Sequence, residues 1–169
     1  MPFRLYVCLL LLLCSTFFPR DSYAQYNDKN LGIGIALLSP TGFSIKYHLT
    51  RENAVDGALG WSIDDFQAHA DYLIIERDLH SEQGIDLDMH YGVGGRILLR
   101  KDHKHNDPED PHRYRRDDKD EVGFRFPIGL DVFLPKPNIE LFAEIALVIN
   151  FYQDTDAELE ATFGGRYYL

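Results

Sequence analysis

From Leu31 onward the chain alternates, and taking every second residue yields a face of 46 positions without a single charge. That face begins Leu31, Ile33, Ile35, Leu37 and ends Ala157, Leu159, Ala161, Phe163, Gly165, Tyr167, Leu169. A period of two is the spacing at which strand side chains change sides, and no helix can present one face at that spacing. Eight segments carry it, at about 30–38, 42–50, 54–63, 66–77, 87–100, 122–134, 139–152 and 157–169. Clusters rich in Gly, Pro, Asn, Asp and Ser separate most of them, among them Ser39-Pro40-Thr41-Gly42, Ser81-Glu82-Gln83-Gly84 and Pro135-Lys136-Pro137-Asn138. The chain is therefore expected to be all-β, an eight-stranded antiparallel up-and-down barrel built from successive hairpins.

The opposite face mixes charge with glycine. It holds the acids Asp56, Asp71, Asp88, Asp131, Glu140, Glu144, Glu158 and Glu160, the bases Lys46, Arg96, Arg100, Arg125 and Arg166, and the histidines His48, His69 and His90. Eight strands close a barrel so narrow that side chains must fill it. Opposed charges interleaved with glycine suit a filled, polar lumen.

Two architectures share this alternation. A transmembrane barrel turns the apolar face out to lipid, whereas a soluble lipocalin-like barrel in the periplasm turns it inward around a ligand. Aromatic placement separates them, because membrane barrels carry aromatic girdles at both interfaces. With the N-terminus in the periplasm, Phe43, Trp61, Phe66, Phe124, Phe126 and Phe151 fall beside the outer connections, and Tyr47, Tyr72, Tyr91 and Tyr167 beside the inner turns. The longest connection, 101–121, is an outer one and carries six bases and eight acids, as expected of an extracellular loop offering a contact surface to a partner. The mean hydropathy of -0.26 excludes a bundle of spanning helices, but alternating strands average a lipid-facing row against a charged one. A net charge of -10 argues against nucleic acid.

Residues 1–24 have the anatomy of a secretory signal peptide: Arg4, an uncharged run from Leu5 to Phe18, then Ser22-Tyr23-Ala24 before a cut at Gln25. Cleavage after Ala24 leaves residues 25–169 as the barrel domain, removes both cysteines, Cys8 and Cys14, and brings the charge to -11. An exported chain without cysteine has no disulfide and no thiolate chemistry.

The last eight residues resemble the terminal signal read by the outer-membrane barrel assembly machinery, with Thr162, Gly164, Tyr167 and Leu169 at its defining places. That signal usually ends in an aromatic, where this chain has Leu169. Over the mature chain the pattern is similar to small eight-stranded barrels of the OmpX and OmpA transmembrane type. The opening hairpin, from Gly32-Ile33-Gly34 through Pro40-Thr41-Gly42 to Lys46-Tyr47, looks like a family of small barrels of unassigned function. The resemblance implies a monomer in the outer membrane of a Gram-negative envelope, with membrane lipid and the assembly machinery as its partners and no established catalytic activity.

No cofactor is called for. His103, His105 and His112, with Asp107, carry ligand-type side chains, but a solvated charged loop is the stronger reading of 101–121. His48, His69 and His90 with Asp71 and Asp88 suit a metal or proton site less well than a structural network, since buried polar groups need partners whatever they do. One register sets His69 opposite His90 and Asp71 opposite Asp88, and another pairs Arg77 with Asp88. A lipid A or phospholipid hydrolase or acyltransferase is a further alternative. It needs a nucleophile and a base within reach of each other, yet the lipid-facing row holds no Ser, His, Asp or Glu, and Ser44 and Ser62 face the lumen. Pro127 predicts a bulge or an early end in the sixth strand.

Overall fold

The alternating segments pair into a ring. A computed structural model describes residues 30–61, 65–82, 85–100, 120–134, 136–152 and 155–169. The expected signal segment 1–24, Ser62, and His103, His105, Asp107 and His112 with nearly all of the 101–121 connection lie outside the described residues. The strands are β1 Leu31–Leu38, β2 Gly42–His48, β3 Asn53–Trp61, β4 Asp65–Glu82, β5 Ile85–Arg100, β6 Glu121–Leu134, β7 Ile139–Asn150 and β8 Asp156–Tyr168. Each pairs antiparallel with the next and β8 pairs with β1, giving a closed up-and-down barrel.

Followed rung by rung, Ile33 leads through Ile45, Gly57, Ala70, Gly95, Phe124 and Ile149 to Ala157, and the β8–β1 register then returns to a level ten residues beyond Ile33. That stagger inclines the strands about 40° to the barrel axis, so each residue advances roughly 2.5 Å along the axis.

Ile33, Ile45, Leu59, Tyr72, Val93, Ile128, Ile145 and Phe163 are exposed on the outer wall. Lys46, Asp71, His90, Arg96, Arg125, Glu140 and Arg166 are buried inside it. The inward row also contains apolar side chains that a purely polar lumen would lack: Leu73, Ile75, Leu98, Phe142 and Val148 are buried. Inward glycines make room for large neighbours on the next strand. A Cβ built at Gly32 would meet the Tyr168 ring, at Gly164 the Phe142 ring and at Gly129 the His90 ring.

Three expectations change. The fourth strand reaches Glu82 and the fifth starts at Ile85, so the hairpin is longer than 66–77 and 87–100. Between them Glu76 pairs with Met89 and His80 with Leu87, a bulge that interrupts the alternation where the fourth alternating segment ends. Pro127, by contrast, neither bulges nor ends β6. Its ladder to β7 runs unbroken through Pro127 and Ala146, and the β5 register is the same on both sides of the rungs that Phe126 and Pro127 do not form. The missing amide costs β6 its local pairing to β5 and no more.

Candidate functional site in the barrel interior

Inward positions from seven strands converge because the stagger brings residues far apart in sequence to one level. At the centre Arg125 on β6 reaches three carboxylates: Glu144 at 2.5 Å, Glu160 at 3.3 Å, and Asp71. His90 on β5 sets Nδ1 2.8 Å from Asp131 and Nε2 3.0 Å from Glu144, so a ring donating from both nitrogens satisfies both acceptors. Lys46 on β2 bridges Asp131 at 2.7 Å and Glu140 at 3.2 Å. Arg166 on β8 donates to Glu140 at 2.6 Å, to Ser44 Oγ at 2.8 Å and to Asp56, with its guanidinium 3.8 Å from the centroid of the Phe142 ring. His69 closes a loop, with Nε2 3.8 Å from Asp56 and 3.9 Å from Asp71.

The network extends to both ends. Toward the end that carries the β1–β2 turn, Arg96 donates to Glu160 at 2.7 Å, to Glu121 at 2.5 Å and to Asn150 at 3.0 Å, and pairs with Glu158, whose side chain is partly exposed. Arg100 pairs with Glu121 at 2.6 Å. Toward the end that carries the C-terminus, Tyr168 donates its hydroxyl to Glu140 at 2.7 Å and lies 3.0 Å from His48 Nε2, while Arg77 pairs with Asp88 at 3.0 Å. Buried charges in so narrow a lumen are tolerable only when paired and hydrogen-bonded.

The register that sets His69 against His90 is corrected: His69 stands opposite Arg96, Asp71 opposite Gly94 and Ile75 opposite His90. Arg77 and Asp88 do meet. Parity alone singled out neither Gln67, which donates to Glu160 at 2.6 Å, nor Asn150 and Tyr168, although all three share the inward parity of their charged neighbours.

Asp56, His69 and Asp71 offer three ligand atoms within 4.8 Å of one another. Both aspartates already accept from guanidinium groups, Asp56 from Arg166 and Asp71 from Arg125, and a cation there would have to displace two arginines. Ser44, buried, accepts from Arg166, which is a charge donor and no base for a nucleophile.

The aromatic residues of the two expected girdles stand on the outer wall. Phe43 packs on Trp61 with centroids 5.6 Å apart, Phe124 on Phe151 at 5.0 Å, and Phe66, Phe126, Tyr47, Tyr72, Tyr91 and Tyr167 are exposed. Thr162, Gly164, Tyr167 and Leu169 line the β8 end of the seam with β1, where Gly164 pairs with Ala36 and Tyr167 with Ile33.

No family model matches this sequence, and no curated protein matches it. Among solved structures, the chain is similar to the N-terminal beta-barrel domain of Pseudomonas aeruginosa OprF, at 12% identity and a TM-score of 0.49, over 82% of this chain and 94% of that one.

Proposed function

We propose that this chain is an outer-membrane β-barrel, exported through its signal segment, with a structural, adhesive or surface-interaction role and no catalysis. One observation carries the reading: a closed wall exposes Ile35, Phe43, Leu59, Trp61, Ile128, Ile145 and Leu159 while Arg125, Lys46 and Asp71 are buried inside it. Water would invert that arrangement, and lipid favours it. The soluble ligand-binding alternative needs the apolar row inside, and that row is outside. For the enzyme alternative, Ser44 has the Arg166 guanidinium and no base beside it among the described residues. The 101–121 connection supplies the contact surface to a partner, and the terminal Thr162 to Leu169 segment is the part offered to the assembly machinery.

Cell fractionation with gels run boiled and unboiled tests this. The protein should sediment with outer membranes and migrate differently unheated, and recovery in the soluble periplasm refutes the reading. Turnover of lipid A or phospholipid by reconstituted protein, above a protein-free control, refutes the non-enzymatic part.

A further inference from the structure

Toward the end that carries the C-terminus the lumen keeps a cavity of about 20 Å³, lined by Lys46, His48, Ile75, Asp131, Glu140 and Tyr168 among others. Arg77 also lines it, and ties the β2–β3 turn to β5 there by donating Nε to the Arg51 carbonyl at 2.5 Å and Nη1 to Asp88 at 3.0 Å. A space of that size has room for one water and for little else.

Three of the lining side chains have hydrogen-bonding capacity left over. Lys46, fully buried, carries three ammonium protons, and two of them go to Asp131 at 2.7 Å and Glu140 at 3.2 Å. Asp131, also buried, accepts from Lys46 and His90 through Oδ2, while its buried Oδ1 meets no donor among the described residues. His48 is the third, and the bonds around it say which ring nitrogen holds the proton. The single proton of the Tyr168 hydroxyl goes to Glu140 at 2.7 Å, so the hydroxyl oxygen accepts from His48 Nε2 at 3.0 Å. That leaves Nδ1 as a bare lone pair, buried, with no donor among the described residues. A ring charged at both nitrogens would instead set a third cation in the wall beside Lys46 and Arg77.

We propose that this cavity is a binding site for a single water, which accepts the third Lys46 proton and donates to His48 Nδ1 and Asp131 Oδ1. One donor and two acceptors match the two protons and the lone pairs of a water, and three bonds are usual for a buried one. An ammonium or metal ion has no lone pair to offer Lys46, and either would add positive charge against Lys46 and Arg77. The bound water joins β2 to β6 across the lumen, holds His48 in one tautomer and completes the polar network at this end. The site lies inside the wall, so it does not depend on what surrounds the barrel.

Nuclear magnetic resonance of the mature chain, folded in micelles and carrying isotopically labelled histidine, tests this. His48 should show the tautomer protonated at Nε2, with the Nδ1 resonance displaced from its free position by an accepted hydrogen bond. Water should give the His48 and Tyr168 ring protons Overhauser effects of the sign that marks a bound molecule and not a passing one. His48→Phe removes one acceptor and fills part of the cavity, yet keeps the Tyr168 hydroxyl and the Lys46 ammonium, which exchange protons with solvent. The water effects at Tyr168 should be lost in that variant, and their persistence overturns the proposal. Should His48→Phe not fold, the parent decides alone: a His48 ring protonated at Nδ1, or an Nδ1 free of any hydrogen bond, overturns it. Ammonium chloride and zinc chloride should leave the Nδ1 resonance where sodium chloride leaves it. A saturable shift with either overturns the water in favour of a cation.

Discussion

Arg125 is the residue on which the interior turns. Its guanidinium is buried and holds Asp71, Glu144 and Glu160 at once, and those carboxylates reach back to His69, His90 and Arg96. Removing one partner of a buried ion pair leaves an uncompensated charge that costs about 3–5 kcal/mol, whereas replacing the whole set with packed apolar groups is often harmless. Arg125→Met is therefore expected to lower the unfolding free energy in micelles by about that amount. Combining it with Glu144→Gln and Glu160→Gln should recover part of the loss. Urea titrations followed by the heat-dependent gel shift check both, and a single variant as stable as the parent would mean the network contributes nothing to holding the barrel. Arg125→Lys should fall between, since an ammonium cannot fork across three acceptors as a guanidinium does. The row in which Arg125 lies could be read from parity. Its three partners could not, because they come from β4, β7 and β8 and meet only after closure.

At the scale of the strand, the seam between β1 and β8 is the step that turns a sheet into a barrel. It is built on close backbone approach: a Cβ at Gly34 would lie 1.9 Å from the Gly165 carbonyl oxygen and 2.7 Å from the Arg166 Cα. Backbone cannot yield as a flexible side chain would, so Gly34→Val is expected to block closure and leave the chain at its denatured mobility in unboiled gels. Gly95 is the control. It sits in the middle of β5, where an added Cβ meets nothing nearer than the Gly123 carbonyl oxygen at 3.8 Å, so Gly95→Val should fold with the parent's shift. Equal behaviour of the two variants would show that seam contacts do not limit closure. Alternation made every strand legible, but two features escaped it for local reasons. The bulge between Glu76 and His80 ends the period of two before the strand itself ends, so the β4–β5 hairpin looked shorter than it is and its register stayed open. Pro127 reads as a strand breaker in the sequence because a missing amide is a local property, whereas the intact ladder to β7 carries the strand past it.

At the scale of the molecule, the two rims of the wall are unevenly spaced. Along β2 and the residue after it the outward apolar side chains run from Phe43 to Leu49, six residues or roughly 15 Å of height, and along β7 and the residue after it from Ile139 to Phe151, twelve residues or roughly 30 Å. The sequence contains both lengths, yet it does not say that β2 lies two strands from β8 around the ring, nor that their stagger leaves the short wall low on one side. That follows from the register of all eight pairs taken together. A transmembrane barrel presents an apolar band of about 25 Å, so one flank of this barrel matches a bilayer and the other falls well short of it. On the membrane reading proposed above, the bilayer would thin or let headgroups sink beside β1 and β2, at a cost that grows with each ångström of mismatch. Folding from urea into dilauroyl, dimyristoyl and dioleoyl phosphatidylcholine vesicles is therefore expected to give its highest yield of heat-shiftable protein in the thinnest bilayer. General ease of insertion into thin bilayers would produce the same trend, so the decisive comparison is with a variant whose β1–β2 hairpin is lengthened by two residues per strand. That variant raises only the short flank and should move the optimum toward thicker bilayers. An unchanged thickness profile would show that the bilayer responds to the tall flank alone.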